Sequence, residues 1–187
     1  MDVVDLQQGG HDALLSDGAL AACGGDEDSG EAGATTTTTT AAKRGPQVLR
    51  ANDIPFTFRY PGDFRAVPKA QRPQGFRAII GLDRLNFLDV RLTSPEPLPD
   101  ARIERLVRSA LGEGVTTESV AREQRGKLRT VRFVVRSTSG GTQLRSQLVF
   151  FRAGGRTWEL GCQSTDAGRA RIDAACEDAL GSLRVKG

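Results

Sequence analysis

The sequence predicts an α+β domain, in which an antiparallel β-sheet is flanked by two or more helices and preceded by a disordered N-terminal tail. Three observations carry this prediction. Apolar and polar residues alternate with a period of two in several segments between 54 and 163, which is typical of half-buried strands. Glycine-containing turns separate such segments. Two further segments change to the 3.6-residue period of a helix.

The first part of the domain is predicted to contain strands joined by short turns. Residues 54–60 alternate apolar and polar side chains, and residues 61–63 (Pro-Gly-Asp) then turn the chain. Residues 64–67 form a short extended piece, and 75–82 with 85–92 are predicted to form a hairpin.

A helix is predicted after this hairpin. Asp100 is a residue type that caps helix N-termini, and Gly112 ends the segment. Apolar residues recur between them at the spacing of one helix face: Ile103, Leu106, Val107, Ala110 and Leu111. The outer side carries four charged residues: Arg102, Glu104, Arg105 and Arg108.

The second β region is predicted to hold four strands, at 119–124, 128–136, 142–152 and 156–163, with turns at 139–141 and 153–155. Residues 148–151 are apolar on both faces, which is typical of a central strand that is covered on both sides. A closing helix is predicted to start around 164–166 and to turn five residues inward: Ile172, Ala175, Cys176, Ala179 and Leu183.

The charge is unevenly distributed along the chain. The whole sequence has 26 Lys and Arg against 23 Asp and Glu. Residues 1–44 carry eight acids and two bases, net −6, whereas residues 45–187 carry 24 bases and 15 acids, net +9. This division favours an acidic disordered tail joined to a basic folded domain.

The tail contains a short motif of its own. Leu20-Ala21-Ala22-Cys23 resembles the lipobox of bacterial lipoproteins, in which the cysteine is acylated and becomes the mature N-terminus. Residues 24–47 then form an acidic, Gly- and Thr-rich linker that is predicted to be disordered. Residues 1–23 would be the leader. The alternative is that Cys23 is an unrelated cysteine in a disordered tail.

The leader departs from the pattern of exported proteins. A signal peptide needs a basic n-region and an apolar h-region of 7–15 residues. Residues 1–19 contain no Lys or Arg, and Asp12 and Asp17 interrupt the leucine pair at 14–15. Either the natural reading frame starts elsewhere, which we favour, or the lipobox is a coincidence.

The order of elements and their end segments resemble the PsbP-like fold superfamily and, within it, the LpqN-type lipoproteins of high-GC bacteria. The residues that carry the resemblance are the first strand and turn at 54–64, the strand at 154–160, Ser164-Thr165 and the end of the closing helix at 180–185. The likeness spans about residues 48–187 and implies an α-β-α sandwich.

The resemblance also implies a function. Members of the superfamily are non-enzymatic modules that bind a protein or a small ligand, among them envelope lipoproteins that contact cell-wall assembly proteins. They share no catalytic residue set, so none is carried over. We therefore expect no enzymatic activity, no cofactor, and a protein or small-molecule partner in the cell envelope.

Cys162 and Cys176 are predicted to face the same interior, one at the end of the last strand and the other on the inner face of the closing helix. A disulfide between them would belong to an oxidising compartment, and together with a lipidated Cys23 it would account for all three cysteines. The alternative is two buried thiols that pack as small apolar groups.

Catalytic chemistry finds little support in the sequence. The single histidine, His11, lies in the predicted tail, so the predicted domain contains no histidine. A Ser-His-Asp triad, a Cys-His pair and a metal site with histidine ligands each need one. The acids of the domain are scattered singly.

The best candidate contact surface is a basic stripe on two paired strands, formed by Arg132, Arg136 and Arg145. The alternative is that these arginines lie on a solvated sheet face.

Three function classes follow. The first is a non-catalytic binding module that is held at the extracytoplasmic face of the cell membrane by a lipid on Cys23. The second is a cytoplasmic interaction domain without lipidation. The third is a basic polyanion-binding protein, although nucleic acid is not the expected partner because no aromatic residues are interleaved with the bases.

Overall fold

A computed structural model describes residues 45–186. In chain order the elements are β1 (Gln47–Leu49), β2 (Phe56–Tyr60), β3 (Arg65–Ala66), a 3₁₀ turn (Lys69–Gln71), β4 (Phe76–Gly81), β5 (Phe87–Ser94), α1 (Asp100–Ala110), β6 (Thr116–Arg125), β7 (Leu128–Ser139), β8 (Thr142–Ala153), β9 (Arg156–Thr165), α2 (Arg169–Ser182) and β10 (Arg184–Val185). The lipobox, the leader and most of the linker lie outside the described residues.

The strands form two antiparallel sheets. The larger has seven strands in the order β3-β4-β5-β9-β8-β7-β6, and the smaller has three in the order β1-β2-β10. The consecutive strands β6, β7, β8 and β9 are neighbours, because short turns connect them as the sequence predicts. The hairpin of β4 and β5 joins this block through β5 and β9.

The two helices cover opposite faces of the large sheet. Side chains alternate along β8, so that Phe150 packs in the core cluster below α1 and Phe151 packs in the cluster below α2. The α2 cluster is the larger and includes Trp158, whose ring centroid lies 5.4 Å from that of Phe56 on β2. The predicted α+β class and the α-β-α layering are therefore confirmed, as is the central position of residues 148–151.

The structure differs from the prediction at both helix starts. Asp100 is the first residue of α1 and Pro99 precedes it as the cap. The Asp100 carboxylate accepts a hydrogen bond from Arg152 instead of capping the backbone. The second helix begins at Arg169, because β9 continues to Thr165, whose backbone N–H donates to Asn86 Oδ1 at 3.0 Å.

The small sheet was not predicted. Residues 180–185 were expected to close the second helix, but the chain leaves α2 after Ser182 and pairs as β10 with β2. In the part of the chain that the structure describes, no helix is long and apolar enough to cross a membrane.

Candidate functional site

A disulfide bond joins Cys162 on β9 to Cys176 on α2, with their Cα atoms 6.1 Å apart. Both residues are buried in the core below α2. The pairing that the sequence suggested is thus present in the structure. It connects the helix to one of the central strands. Cys23, the predicted lipidation site, lies outside the described residues.

The predicted basic stripe lies on the face of the sheet that carries α2. Arg132 and Arg136 are on β7, and Arg145 on β8 is directly opposite Arg136 in the antiparallel register. The structure therefore brings all three arginines onto one surface beside α2. Arg132 is 13% exposed in its side chain, while Arg136 is 47% exposed.

Each arginine of the stripe has carboxylate partners. Arg132 donates to Glu177 at 2.8 Å, and Arg145 donates to Asp173 at 3.1 Å. The remaining contacts join Arg136 and Arg145 to Glu118, Arg132 to Glu123, and Arg125 to both Glu123 and Glu177. Four arginines thus meet four carboxylates. Whether this surface binds a partner stays a prediction, but a partner would meet a surface with little net charge.

Two carboxylates of this network, Glu177 and Glu118, are held in their ionised form. Partial burial raises the pKa of Glu177, but hydrogen bonds from Arg125 and Arg132 outweigh burial and keep that pKa below its usual value. At Glu118 the hydrogen bond from Arg136 is the largest influence, and it also lowers the pKa. Both of these carboxylates are consequently ionised at neutral pH.

We expect the substitution Glu177→Gln to reduce the free energy of unfolding by only about 0.5–1 kcal/mol at neutral pH. The glutamate side chain is 45% exposed, so solvent screens its ion pairs. Urea unfolding followed by Trp158 fluorescence would measure the change. A loss above about 2 kcal/mol would contradict this, since it would mean that the network is a buried structural element.

A second charged cluster lies on the opposite face of the sheet, and the sequence did not predict it. Asp89 on β5 is opposite Gly161 on β9, and Arg91 is opposite Glu159 in the same register. A Cβ atom at Gly161 would lie 2.4 Å from Asp89 Oδ2, so any larger residue there would displace the Asp89 carboxylate. The missing side chain of Gly161 leaves room for the Asp89 carboxylate.

Two acids share a single base in this cluster. Arg91 Nε donates to Asp89 Oδ1 at 2.9 Å and lies 4.0 Å from Glu159 Oε1. Burial raises the pKa of Asp89, although Arg91 opposes the shift. Burial likewise raises the pKa of Glu159 to about 7; Arg91 lowers it and Asp89 adds to the rise. Glu159 therefore changes its protonation state close to neutral pH.

The surroundings of this cluster are partly apolar. Phe76, Ile79 and Phe87 are half-buried, and they belong to neither core cluster. The Arg91 guanidinium stacks over the Phe76 ring, 3.9 Å from its centroid. Sequence reasoning missed the cluster because acids that are 70 residues apart meet only through the pairing of β5 with β9. The available signal was an acid flanked by large apolar residues in each strand, as in Leu88-Asp89-Val90 and Trp158-Glu159-Leu160.

No grouping of three or more His, Cys, Asp or Glu side chains suited to a metal ion occurs between residues 45 and 186. The Asp89 carboxylate is 5% exposed and is held by Arg91.

Comparison with known proteins gives a fold but no sequence family. No family model matches the chain, and no curated protein sequence matches it. Among solved structures, the solution structure of cyanobacterial PsbP (CyanoP) from Synechocystis sp. PCC 6803 is similar with a TM-score of 0.57, covering 83% of this chain and 98% of that one. The fold is PsbP-like. At 12% identity the likeness concerns the fold alone.

Two further structures agree with this PsbP-like fold. The crystal structure of LpqN, described as involved in cell envelope biogenesis of Mycobacterium tuberculosis, has a TM-score of 0.51 at 12% identity and covers 77% of this chain and 93% of that one. A protein from Bacteroides thetaiotaomicron has a TM-score of 0.56, also at 12% identity, and covers 77% of this chain and 50% of that one. The resemblance to the PsbP-like superfamily that the sequence suggested is confirmed at the level of fold.

Proposed function

We propose that the chain is a non-catalytic binding module that is held at the outer face of the cytoplasmic membrane by a lipid on Cys23 and that contacts a partner in the cell envelope. The observation that carries the proposal is the disulfide between Cys162 and Cys176. Structural disulfides persist in oxidising compartments and are rare in the cytosol. A bond in the middle of the larger core favours a protein that folds outside the cytoplasm.

The tail supports a lipid anchor. Leu20-Ala21-Ala22-Cys23 matches a lipobox over four residues, and a Gly- and Thr-rich stretch follows it before the domain begins. The two remaining cysteines are already paired in the core, so Cys23 is the one left for acylation. One of the PsbP-like structures, LpqN, is described as involved in cell envelope biogenesis, which is consistent with an envelope role for this chain.

The non-catalytic part of the proposal is supported by the charged clusters. Buried acids with raised pKa values are typical of catalytic sites, and Asp89 and Glu159 have such values. Here, however, one acid is bound to Arg91 and the other lies beside it. For the partner we retain the surface around Arg132, Arg136 and Arg145, whose mixed charges suit a protein with polar groups of both signs better than a polyanion.

The proposal is tested by the intact mass of the protein, expressed from its own locus in its own host and extracted by detergent phase partitioning without reducing agent. We expect a species in the detergent phase that begins at an acylated Cys23. Its mass should be about 2 Da below that of the dithiol form, because forming one disulfide removes two hydrogen atoms.

The substitution Cys23→Ser is expected to move the protein completely from the detergent phase to the aqueous phase. The matched control is the double variant Cys162→Ala/Cys176→Ala, which should stay in the detergent phase because Cys23 is intact. A wild-type protein that is soluble, begins at Met1 and carries three free thiols would contradict the proposal and favour a cytoplasmic interaction domain.

A further inference from the structure

The outer side of α1 carries three exposed arginines. Ile103 and Val107 of this helix are buried against the sheet. Arg102, Arg105 and Arg108 are spaced three residues apart and are exposed. Residues with this spacing are neighbours on a helix surface, so the three guanidinium groups lie along one side of α1.

The acids of α1 are already occupied by arginines from the strands. Asp100 pairs with Arg129 at 2.8 Å and with Arg152 at 2.7 Å. Glu104 accepts a hydrogen bond from Arg122 at 2.8 Å. Within residues 45–186, none of the three helix arginines forms an ion pair.

We call the side chains of α1 and the strand arginines that pair with its acids the α1 surface: Arg102, Arg105, Arg108, Arg122, Arg129, Arg152, Asp100 and Glu104. Six arginines meet two carboxylates here, which leaves a net charge of +4. The α2 side differs, since four arginines meet four carboxylates there. The α1 surface therefore carries uncompensated positive charge, which the network beside α2 does not.

We infer that the α1 surface docks on anionic phospholipid headgroups. The inference rests on the proposed function, because a lipid on Cys23 would keep the domain within reach of the bilayer. The 22 residues from Cys23 to Gly45 can span at most about 75 Å. A domain of this size has a radius of gyration of about 14 Å, so a tether of that length lets any face turn to the membrane.

The contact is electrostatic. The large apolar side chains of α1 face the core, so the helix has no apolar face to insert into the bilayer. Each exposed Lys or Arg near an anionic leaflet contributes about fivefold in affinity, and salt screens this attraction. Nucleic acid is the less favoured polyanion, because α1 offers no aromatic ring on which a base could stack.

The test uses the full-length Cys23→Ser protein with its disulfide intact, which carries no acyl chain. Sedimentation would measure its binding to vesicles of phosphatidylcholine with 30% phosphatidylglycerol and to vesicles of phosphatidylcholine alone. We expect binding to the anionic vesicles that is lost when NaCl is raised several-fold. The added substitutions Arg102→Gln, Arg105→Gln and Arg108→Gln should weaken that binding by about 100-fold.

The matched control removes the same three charges elsewhere, by Arg65→Gln, Arg84→Gln and Arg156→Gln in the same background. These arginines are also exposed and form no ion pair within the described residues. The control triple should bind anionic vesicles within about fivefold of the parent protein. Thermal unfolding of both triples checks that they are folded.

Three outcomes would overturn the inference. The two triple variants could lose equal affinity for anionic vesicles, or the parent protein could bind neutral and anionic vesicles equally. The third is that the parent protein binds single-stranded RNA more tightly than the anionic vesicles. The assay contains no acylated protein. If the vesicle test fails, the proposed acylation of Cys23 is therefore not contradicted. Conversely, an unmodified Cys23 in the host would not change the result of the vesicle test.

Discussion

Loss of the disulfide between Cys162 and Cys176 is expected to lower the free energy of unfolding by about 3 kcal/mol. The two cysteines are 14 residues apart, and in the chain-entropy treatment a closed loop of about 15 residues contributes that amount by restricting the unfolded chain. For a domain of this size the loss corresponds to a melting temperature about 10 °C lower. Thermal unfolding with and without dithiothreitol would measure it.

The loss of stability on removal of the disulfide should be largest around α2. This helix contributes five residues to the core below it: Ile172, Ala175, Cys176, Ala179 and Leu180. The covalent bond to β9 fixes one of these residues to a central strand. Hydrogen exchange of the α2 amides should therefore accelerate on reduction more than exchange in β7 and β8.

The control for this prediction is the double variant Cys162→Ala/Cys176→Ala. Its melting temperature should be close to that of the reduced wild type, and dithiothreitol should not change it further. If wild type and variant melt at the same temperature under oxidising conditions, the bond contributes nothing to stability. The main argument for folding in an oxidising compartment would then be lost.

The larger elements were predictable because their side-chain periodicity is complete within one segment. Residues 148–151 are apolar on both faces and indeed lie in a central strand covered by two core clusters. The face of α1 followed from Ile103 and Val107 at helical spacing. By contrast, β1 and β10 have three and two residues, too few to show any period, and they exist through pairing with β2.

The charged surfaces were predictable only in part, because ion pairs depend on register and on the position of the helices. The sequence placed Arg132, Arg136 and Arg145 together, but their neutralisation requires acids from α2 and β6. The arginines on the outer side of α1 were visible from helical spacing alone. The cluster of Asp89 and Glu159 depends on strands that are distant in sequence, and no local pattern reports such a pairing.

The substitution Glu159→Gln is expected to stabilise the domain at pH 8 by about 2 kcal/mol and to have little effect at pH 5. In the folded protein the pKa of Glu159 is raised from 4.5 to about 7, chiefly by burial. Folding therefore favours the protonated form, and this contribution is fully present below pH 4.5 and is lost as the pH rises through about 7. The shift already includes the attraction to Arg91 and corresponds to about 3 kcal/mol; the Glu159 side chain is 15% exposed, so solvent reduces the effect to about 2 kcal/mol.

Urea unfolding of the variant and the wild type at several values between pH 5 and pH 8 would measure the difference. The matched control is Glu177→Gln, since the pKa of Glu177 is lowered rather than raised. Its carboxylate contributes stability above the unfolded pKa, and this contribution disappears as the pH falls, so the control should destabilise at pH 8. If Glu159→Gln also lowers the free energy of unfolding at pH 8, the negative charge of the Glu159 carboxylate is stabilised by its surroundings in the native protein. The two acids and one arginine of the Asp89 cluster would then need a further positive group.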